Sequence, residues 1–487
     1  GNDLTALDVS ANTVLTFLSC YNNQLTTLDV SANTALDALR CYGNQLTSLD
    51  VSANTALTFL HCGNNQFTSL DISNNIALTT FYCLSNPLDS LDVSANTALT
   101  RLGVSNNQLT SLDVSNNTAL TWLKINETQI TSLNMRNGIT DALTTFDATD
   151  NTSLSCIETL DPDYATANWT LANDNIDAGV TFDVICGAAA RTNWHVASTG
   201  SDITGSGTLA SPLSSIQTAI NAATVGDTVS VAAGTYTENI NFNGKNIVVQ
   251  GEDRETTIID GNQSGSVVTF NSGETSSSKL EGLTITNGNQ FNGGGIYCNL
   301  NSSPAIANCT ITGNTAVEGG GIKCDNTSSP SITDCTISGN TASGNGGGIC
   351  CPNSLPVITN CTITGNTAND GGGIFFYGSN PTITNSTISE NVALGDGGEN
   401  GGGGINCNSS SPIIMDCIII GNTASVHAGG IDCYDSSSPI ITDCTISGNT
   451  ANYGGGLWML SSPTITNCTV SGNTAIIRGG AIEIYSS

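Results

Sequence analysis

Basic side chains are scarce in this sequence: 10 Lys and Arg stand against 40 Asp and Glu, leaving a formal net charge of −30. A surface so poor in cations cannot neutralise a phosphate backbone, so nucleic acid is excluded as a partner. Long apolar runs are missing too. None approaches the ~18 residues that a membrane-crossing helix needs, so no membrane span is expected. Charged residues are few overall, and the remainder is rich in Thr, Ser, Asn and 53 Gly, a composition of turn-dense β structure that leaves no room for long helices. The histidines, His61, His195 and His427, are not spaced with cysteines as zinc ligands, and there is no C-x-x-C pair, so no zinc site is expected.

What the sequence does have is repetition. A 21-residue period starts at Leu4 with LTALDVSANTVLTFLSCYNNQ and continues from Leu25, Leu46, Phe67, Leu88 and Leu109, with a degenerate copy from Ile130. Each copy alternates apolar residues two apart in short strands and places Asn at the bends. This doubled pattern resembles the nested leucine-rich repeats of secreted bacterial surface proteins, those of the Bacteroidetes type above all, over residues 1–157. From Gly293 a second period takes over. Its inward Ile recurs at 296, 322, 349, 374, 405 and 431, then as Leu457 and Ile482, at spacings of 26, 27, 25, 31, 26, 26 and 25. Three short strands and three turns per coil describe a parallel β-helix. Asn314, Asn340, Asn366, Asn391, Asn422, Asn449 and Asn473 recur once per coil, as an internal amide ladder would require. The stretch from Trp194 to Ile240 is similar to the opening segment of the pectin-lyase-like right-handed β-helix superfamily, with a short capping helix expected over 216–223. That resemblance implies the fold; the superfamily holds lyases, hydrolases, adhesins and stalks alike. The expected architecture is therefore an all-β solenoid: leucine-rich repeats over 1–155, a cap and linker over 156–190, and a right-handed parallel β-helix over 191–487 with its N-terminal cap at 194–228.

Most cysteines stand in register. Cys20, Cys41, Cys62 and Cys83 share a slot later filled by Val104 and Ile125, which reads as a core position. The β-helix has two further columns, one of which includes Cys298 and Cys324 and the other Cys309 and Cys335. They read as core thiols, with a cross-coil disulfide as the alternative because Phe376 and Ser386 replace both columns in one coil. Cys156 and Cys186 belong to no column and flank an irregular segment. A disulfide is expected there, and with it an oxidising compartment.

Two features point to binding. On one strand of each leucine-rich copy the outward positions vary and gather Phe17, Tyr21, Arg40, Tyr42, Phe59, His61, Tyr82, Arg101, Trp122 and Lys124. Large amphipathic rings on a rigid sheet suit an extracellular glycan or protein surface. On the opposite strand, Asp8, Asp29, Asp50, Asp71, Asp92 and Asp113 would stack at solenoid pitch, with Asn134 next. Their repulsion is relieved either by hydrogen bonds from the N–H groups of each D-V-S-A-N turn, the favoured reading, or by a row of Ca²⁺ ions.

The β-helix offers less to chemistry. Its outward column reads Tyr297, Lys323, Cys350, Phe375, Asn406, Asp432, Trp458 and Glu483. Lys323 and Asp432 are four coils apart, roughly 20 Å, too far to cooperate. Asp416 and Asp443 could pair as hydrolase carboxylates, but their column otherwise reads Asn308, Asp334 and Asn360, a turn-capping pattern. Asp396 and Glu399 lie on a Gly-rich insertion that reads as a spacer. The expectation is a secreted, cell-surface, non-catalytic adhesion or structural protein. The alternative is a polysaccharide-degrading β-helix, a lyase or glycoside hydrolase, with a leucine-rich targeting module. Repeats that run to both ends of the sequence suggest a longer polypeptide or head-to-tail stacking of copies.

Overall fold

The computed structural model describes residues 2–187, 191–395, 401–460 and 462–485; the Asp396 and Glu399 loop lies outside them. Two compact units emerge, Gly1–Ala190 with Asp202–Thr204, and Arg191–Ser201 with Gly205–Ser487.

In the first unit, seven three-residue strands form a parallel sheet: Phe17–Ser19, Ala38–Arg40, Phe59–His61, Thr80–Tyr82, Arg101–Gly103, Trp122–Lys124 and Thr145–Asp147. Their middle residues, among them Leu39, Leu60, Phe81, Leu102 and Leu123, point inward and are fully buried. Alternation then forces the flanking residues outward. Buried asparagines tie successive rungs together. Asn54 Nδ2 donates to Val30 O at 3.0 Å and to Asn33 O at 2.8 Å, and the pattern repeats at Asn75, Asn96 and Asn117.

The LDVS side departs from expectation. Strand pairing appears there only from Ser111–Asp113 and Ser132–Met135, which continue into Cys156–Thr159 and Thr181–Asp183. In earlier copies the backbone groups close on their own turn instead, as where Asn33 N–H donates to Val30 O at 3.0 Å. Beyond residue 156 the rungs meet a helix at Pro162–Asn168, and Trp169 packs on Phe146 and Phe182 at ring distances of 4.5 and 5.7 Å. Cys156 and Cys186 are disulfide-bonded across this irregular segment.

In the second unit, parallel sheets of 11, 10, 10 and 8 strands run along the coils. A coil thus has four strands where the sequence suggested three. One example is Ala305–Ala307, Thr310–Thr312, Thr315–Glu318 and Ile322–Cys324. The additional strand arises because Asn314 turns the chain inward: its backbone N–H and Nδ2 both donate to Asn340 Oδ1 at 3.0 Å, splitting one expected stretch into two. The same bonds link each ladder asparagine to the next as far as Asn473. A short helix, Ile216–Ala222, covers the first coils with Ile216, Ala219 and Ile220 buried, and Glu238 accepts the Ile216 and Gln217 N–H groups at 2.8 and 2.9 Å.

The cysteines in register are free thiols. In the column of Cys309, each Sγ lies against backbone carbonyls: Cys361 Sγ is 3.5 Å from Ile332 O of the preceding coil and 3.3 Å from Thr359 O. Ser386 fills the same slot, donating to Thr384 O at 2.8 Å. The slot takes a small donor, so serine replaces cysteine without loss of a bond.

Candidate functional site

The aromatic residues of the leucine-rich sheet form one connected array. The Tyr21 and Tyr42 rings stack with centroids 4.7 Å apart and planes 5° from parallel, and Tyr42 stacks on His61 at 4.2 Å and 22°. Tyr82 then meets His61 edge-on at 5.6 Å and Trp122 edge-on at 5.5 Å. The rung between Tyr82 and Trp122 carries Gly103, where a Cβ would stand 2.8 Å from Tyr82 Cδ1 and 3.2 Å from Trp122 Cζ3. Only the missing side chain lets the two rings meet. Beside the stack, the Arg40 guanidinium lies 5.5 Å from the Phe17 ring and 5.2 Å from the Phe59 ring, a cation held between two aromatic faces. Lys124 lies 5.9 Å from the Trp122 ring but also 3.4 Å from Asp147, so its charge is matched within the unit. Arg101 is exposed beside Trp122 in register. Burial first, and then the Arg40 charge, hold the His61 pKa below the usual histidine value. The ring is thereby biased toward the neutral form that stacks on Tyr42.

Every aspartate of the opposite row closes its own turn. Asp29 Oδ1 accepts from the Ser31 N–H at 2.9 Å, with equivalent bonds at Asp8, Asp50, Asp71, Asp92 and Asp113. The Ser31 hydroxyl, with its N–H, holds the Asp29 carboxyl below its usual range against the opposing charges of Asp50 and Asp8. Among the described residues no three His, Cys, Asp or Glu gather to hold a metal ion.

In the second unit the outward column from Lys323 to Trp458 is covered. The residues just before each glycine cluster fold back over it: Lys323 Nζ reaches Glu318 Oε2 at 2.5 Å, Asn406 Nδ2 donates to Gly401 O at 2.9 Å, and Trp458 lies under His427. Gly402 permits this return. Its φ is +76°, and a Cβ there would lie 2.7 Å from the Asn406 Cβ. Lys323 is also 3.5 Å from Asp325 and its side chain is only 5% exposed, so it is no free base.

The family model described as the right-handed β-helix region matches residues 235–369 and 321–487, together more than half of the chain. The chain belongs to the right-handed β-helix family. No curated protein matches it. Among solved structures, it is similar to the functional domain of InlJ from Listeria monocytogenes, whose description notes a cysteine ladder, at 22% identity over 70% of this chain and 68% of that one, with a TM-score of 0.30. It is also similar to the pectate lyase Pel9A, at 19% identity over 57% and 78% with a TM-score of 0.39, and to carrot pectin methylesterase, at 15% over 60% and 88% with a TM-score of 0.34.

Within this right-handed β-helix, Asp416 and Asp443 sit at a turn. Their φ values are 55° and 52°, in line with Asn308, Asp334, Asn360, Asn385 and Asn467 at 49°, 56°, 55°, 49° and 50°. Asn and Asp tolerate this left-handed conformation best after glycine, which explains the column without catalysis. The residues that sequence reasoning passed over are Asp432 and its surroundings. Asp432 is completely buried, and among the described residues neither carboxylate oxygen has a hydrogen-bond partner. The only signal in the sequence was its place in a column that reads as solvent-facing.

Proposed function

We propose that this chain is a non-catalytic extracellular recognition protein whose leucine-rich unit binds a protein partner through the strip from Phe17 to Lys124. The observation that carries this reading is the unbroken array Tyr21, Tyr42, His61, Tyr82 and Trp122. Rings that already support one another lose little freedom on binding, and Tyr, Trp and Arg are the residues that anchor protein interfaces. The stacked rings direct much of their face area at one another. Edges and hydroxyls are left for a partner, which favours a protein surface over a sugar ring that would need an open aromatic face. A cell-surface or secreted setting accords with the Cys156–Cys186 disulfide.

The test is binding of the whole chain to a panel of immobilised extracellular-matrix proteins and a parallel panel of polysaccharides. Saturable binding on the protein panel, lost in the Tyr82→Ala/Trp122→Ala double variant, supports the reading. Binding that survives this variant would place recognition elsewhere. Binding confined to polysaccharides would restore a glycan partner, and cleavage of a polysaccharide would favour the enzymatic alternative.

A further inference from the structure

A pocket of about 300 Å³ opens on the covered face of the β-helix, independent of the aromatic strip. Phe375, Tyr377 and Tyr434 give it aromatic walls, and Glu318 and Asp370 give it carboxylates. The Glu318 charge is matched by Lys323. Asp432 is different. It follows Cys350, Phe375 and Asn406 in one in-register column, and residues in register leave a parallel sheet on the same side. Its carboxylate therefore leaves the sheet on the face where Cys350 and Phe375 line the pocket, and, being fully buried, it lies behind the lining residues. Among the described residues both of its oxygens lack a hydrogen-bond partner, as does the Oδ1 of Asn406 in the adjacent coil.

Two local features mark the backbone that covers this spot. In the column that folds over it, Gly401 stands between Asp370 and His427, and a Cβ there would fall 2.0 Å from the His427 carbonyl oxygen, so no side chain fills the position. In the next coil Ala428 takes the place of Gly402 and still adopts a left-handed φ of 41°. A non-glycine residue held in that region is a strained element beside the buried acid, and such strain collects at functional sites. The Asp370 charge reaches Asp432, and the Tyr434 phenol is raised by burial first and then by Asp432, with Asp370 a smaller contributor. Ring and carboxylates thus share one environment.

We propose that this pocket binds an organic ammonium group, a primary or quaternary amine, seated against Phe375, Tyr377 and Tyr434 with Asp370 and Asp432 as its counter-charge. Aromatic faces attract such cations within ~6 Å of the ring centre, and a buried carboxyl without a partner can give up its proton in exchange for one. A calcium ion fits less well, because it needs ~6 to 8 oxygen ligands brought together, and among the described residues no three His, Cys, Asp or Glu gather to hold a metal ion. A uronate sugar carries the charge that these acids repel.

The experiment is isothermal titration calorimetry of the whole chain with choline, with n-butylammonium, and with the uncharged carbon isostere of choline, each with and without Ca²⁺. The cations are expected to bind at least about tenfold more tightly than the isostere. Asp432→Asn should abolish that preference while the fold persists, since Asn406 already occupies the equivalent place one coil earlier. Tyr434→Leu should weaken both cations. Equal affinity for the isostere would reduce the site to an apolar recess and overturn the proposal. So would the absence of binding by either cation, cation binding unchanged in Asp432→Asn, or heat from Ca²⁺ where the ammonium ions give none.

Discussion

Asp432 occupies, one coil further on, the position from which Asn406 donates its amide to the Gly401 carbonyl. A carboxylate has no N–H to give, and burial, aided by the Asp370 charge, pushes the Asp432 pKa well up. The native state therefore keeps this proton to higher pH than the unfolded chain does. Stability is greatest below the unfolded carboxylate value of about 4 and declines as pH rises toward the folded one. Asp432→Asn removes the titration and supplies the missing donor. The variant is expected to stabilise the β-helix by about 1 to 3 kcal/mol at neutral pH, with the gain shrinking in acid. Calorimetry of wild type and variant across that pH range checks it, and a gain independent of pH would show that the carboxyl is not buried as described.

Gly103 is expected to control the contact between two rings of the aromatic strip. Its rung separates Tyr82 from Trp122, and an alanine methyl would stand 2.8 Å from Tyr82 Cδ1. One ring must then move, and both are partly exposed. Gly103→Ala should leave the unfolding free energy within about 1 kcal/mol of wild type while changing the near-ultraviolet circular dichroism of the coupled rings. If that spectrum stays unchanged, the two rings are not in contact in solution.

The Cys156–Cys186 bond, with a sequence separation of 30, closes a segment of short, mixed elements, two strands and the helix Pro162–Asn168. Chain entropy alone gives such a closure about 3 to 4 kcal/mol. Cys156→Ser/Cys186→Ser should lower the unfolding transition of the first unit by that amount in denaturant melts. The transition of the β-helix unit, whose cysteines are free, should not move in this variant.

The parts of the fold that repeat in sequence were readable from it, because a ladder demands the same residue once per coil. Asn314 through Asn473 shows this, as do the turn positions of Asp416 and Asp443, whose alternation with asparagine betrayed a backbone role. The array from Tyr21 to Trp122 was visible as a set of outward positions, but its use of ring faces was not, since side-chain torsions leave no trace in spacing. Asp432 was hidden for a different reason. Period-two alternation says that a side chain leaves the strand on the outer side, not whether another segment returns to cover it. Here the cover depends on residues such as Glu318 and His427 folding back before each glycine cluster, a tertiary event that the local pattern does not encode.

His61 supplies a pH test of the recognition strip. It lies flat against Tyr42 and edge-on to Tyr82, and burial followed by the nearby Arg40 charge lowers its pKa. The folded state thus binds fewer protons than the unfolded chain as pH falls below the free histidine value of about 6.5, so stability is full above that value and declines below it. Nuclear magnetic resonance titration of the His61 ring is expected to give a midpoint below that of a free histidine, and Arg40→Gln should move it upward without bringing it all the way back, since burial is the larger cause. A midpoint at the free value would mean that the imidazole stands away from Tyr42. In that event the strip is a row of separate rings, and the preorganisation argued for protein recognition is lost with it.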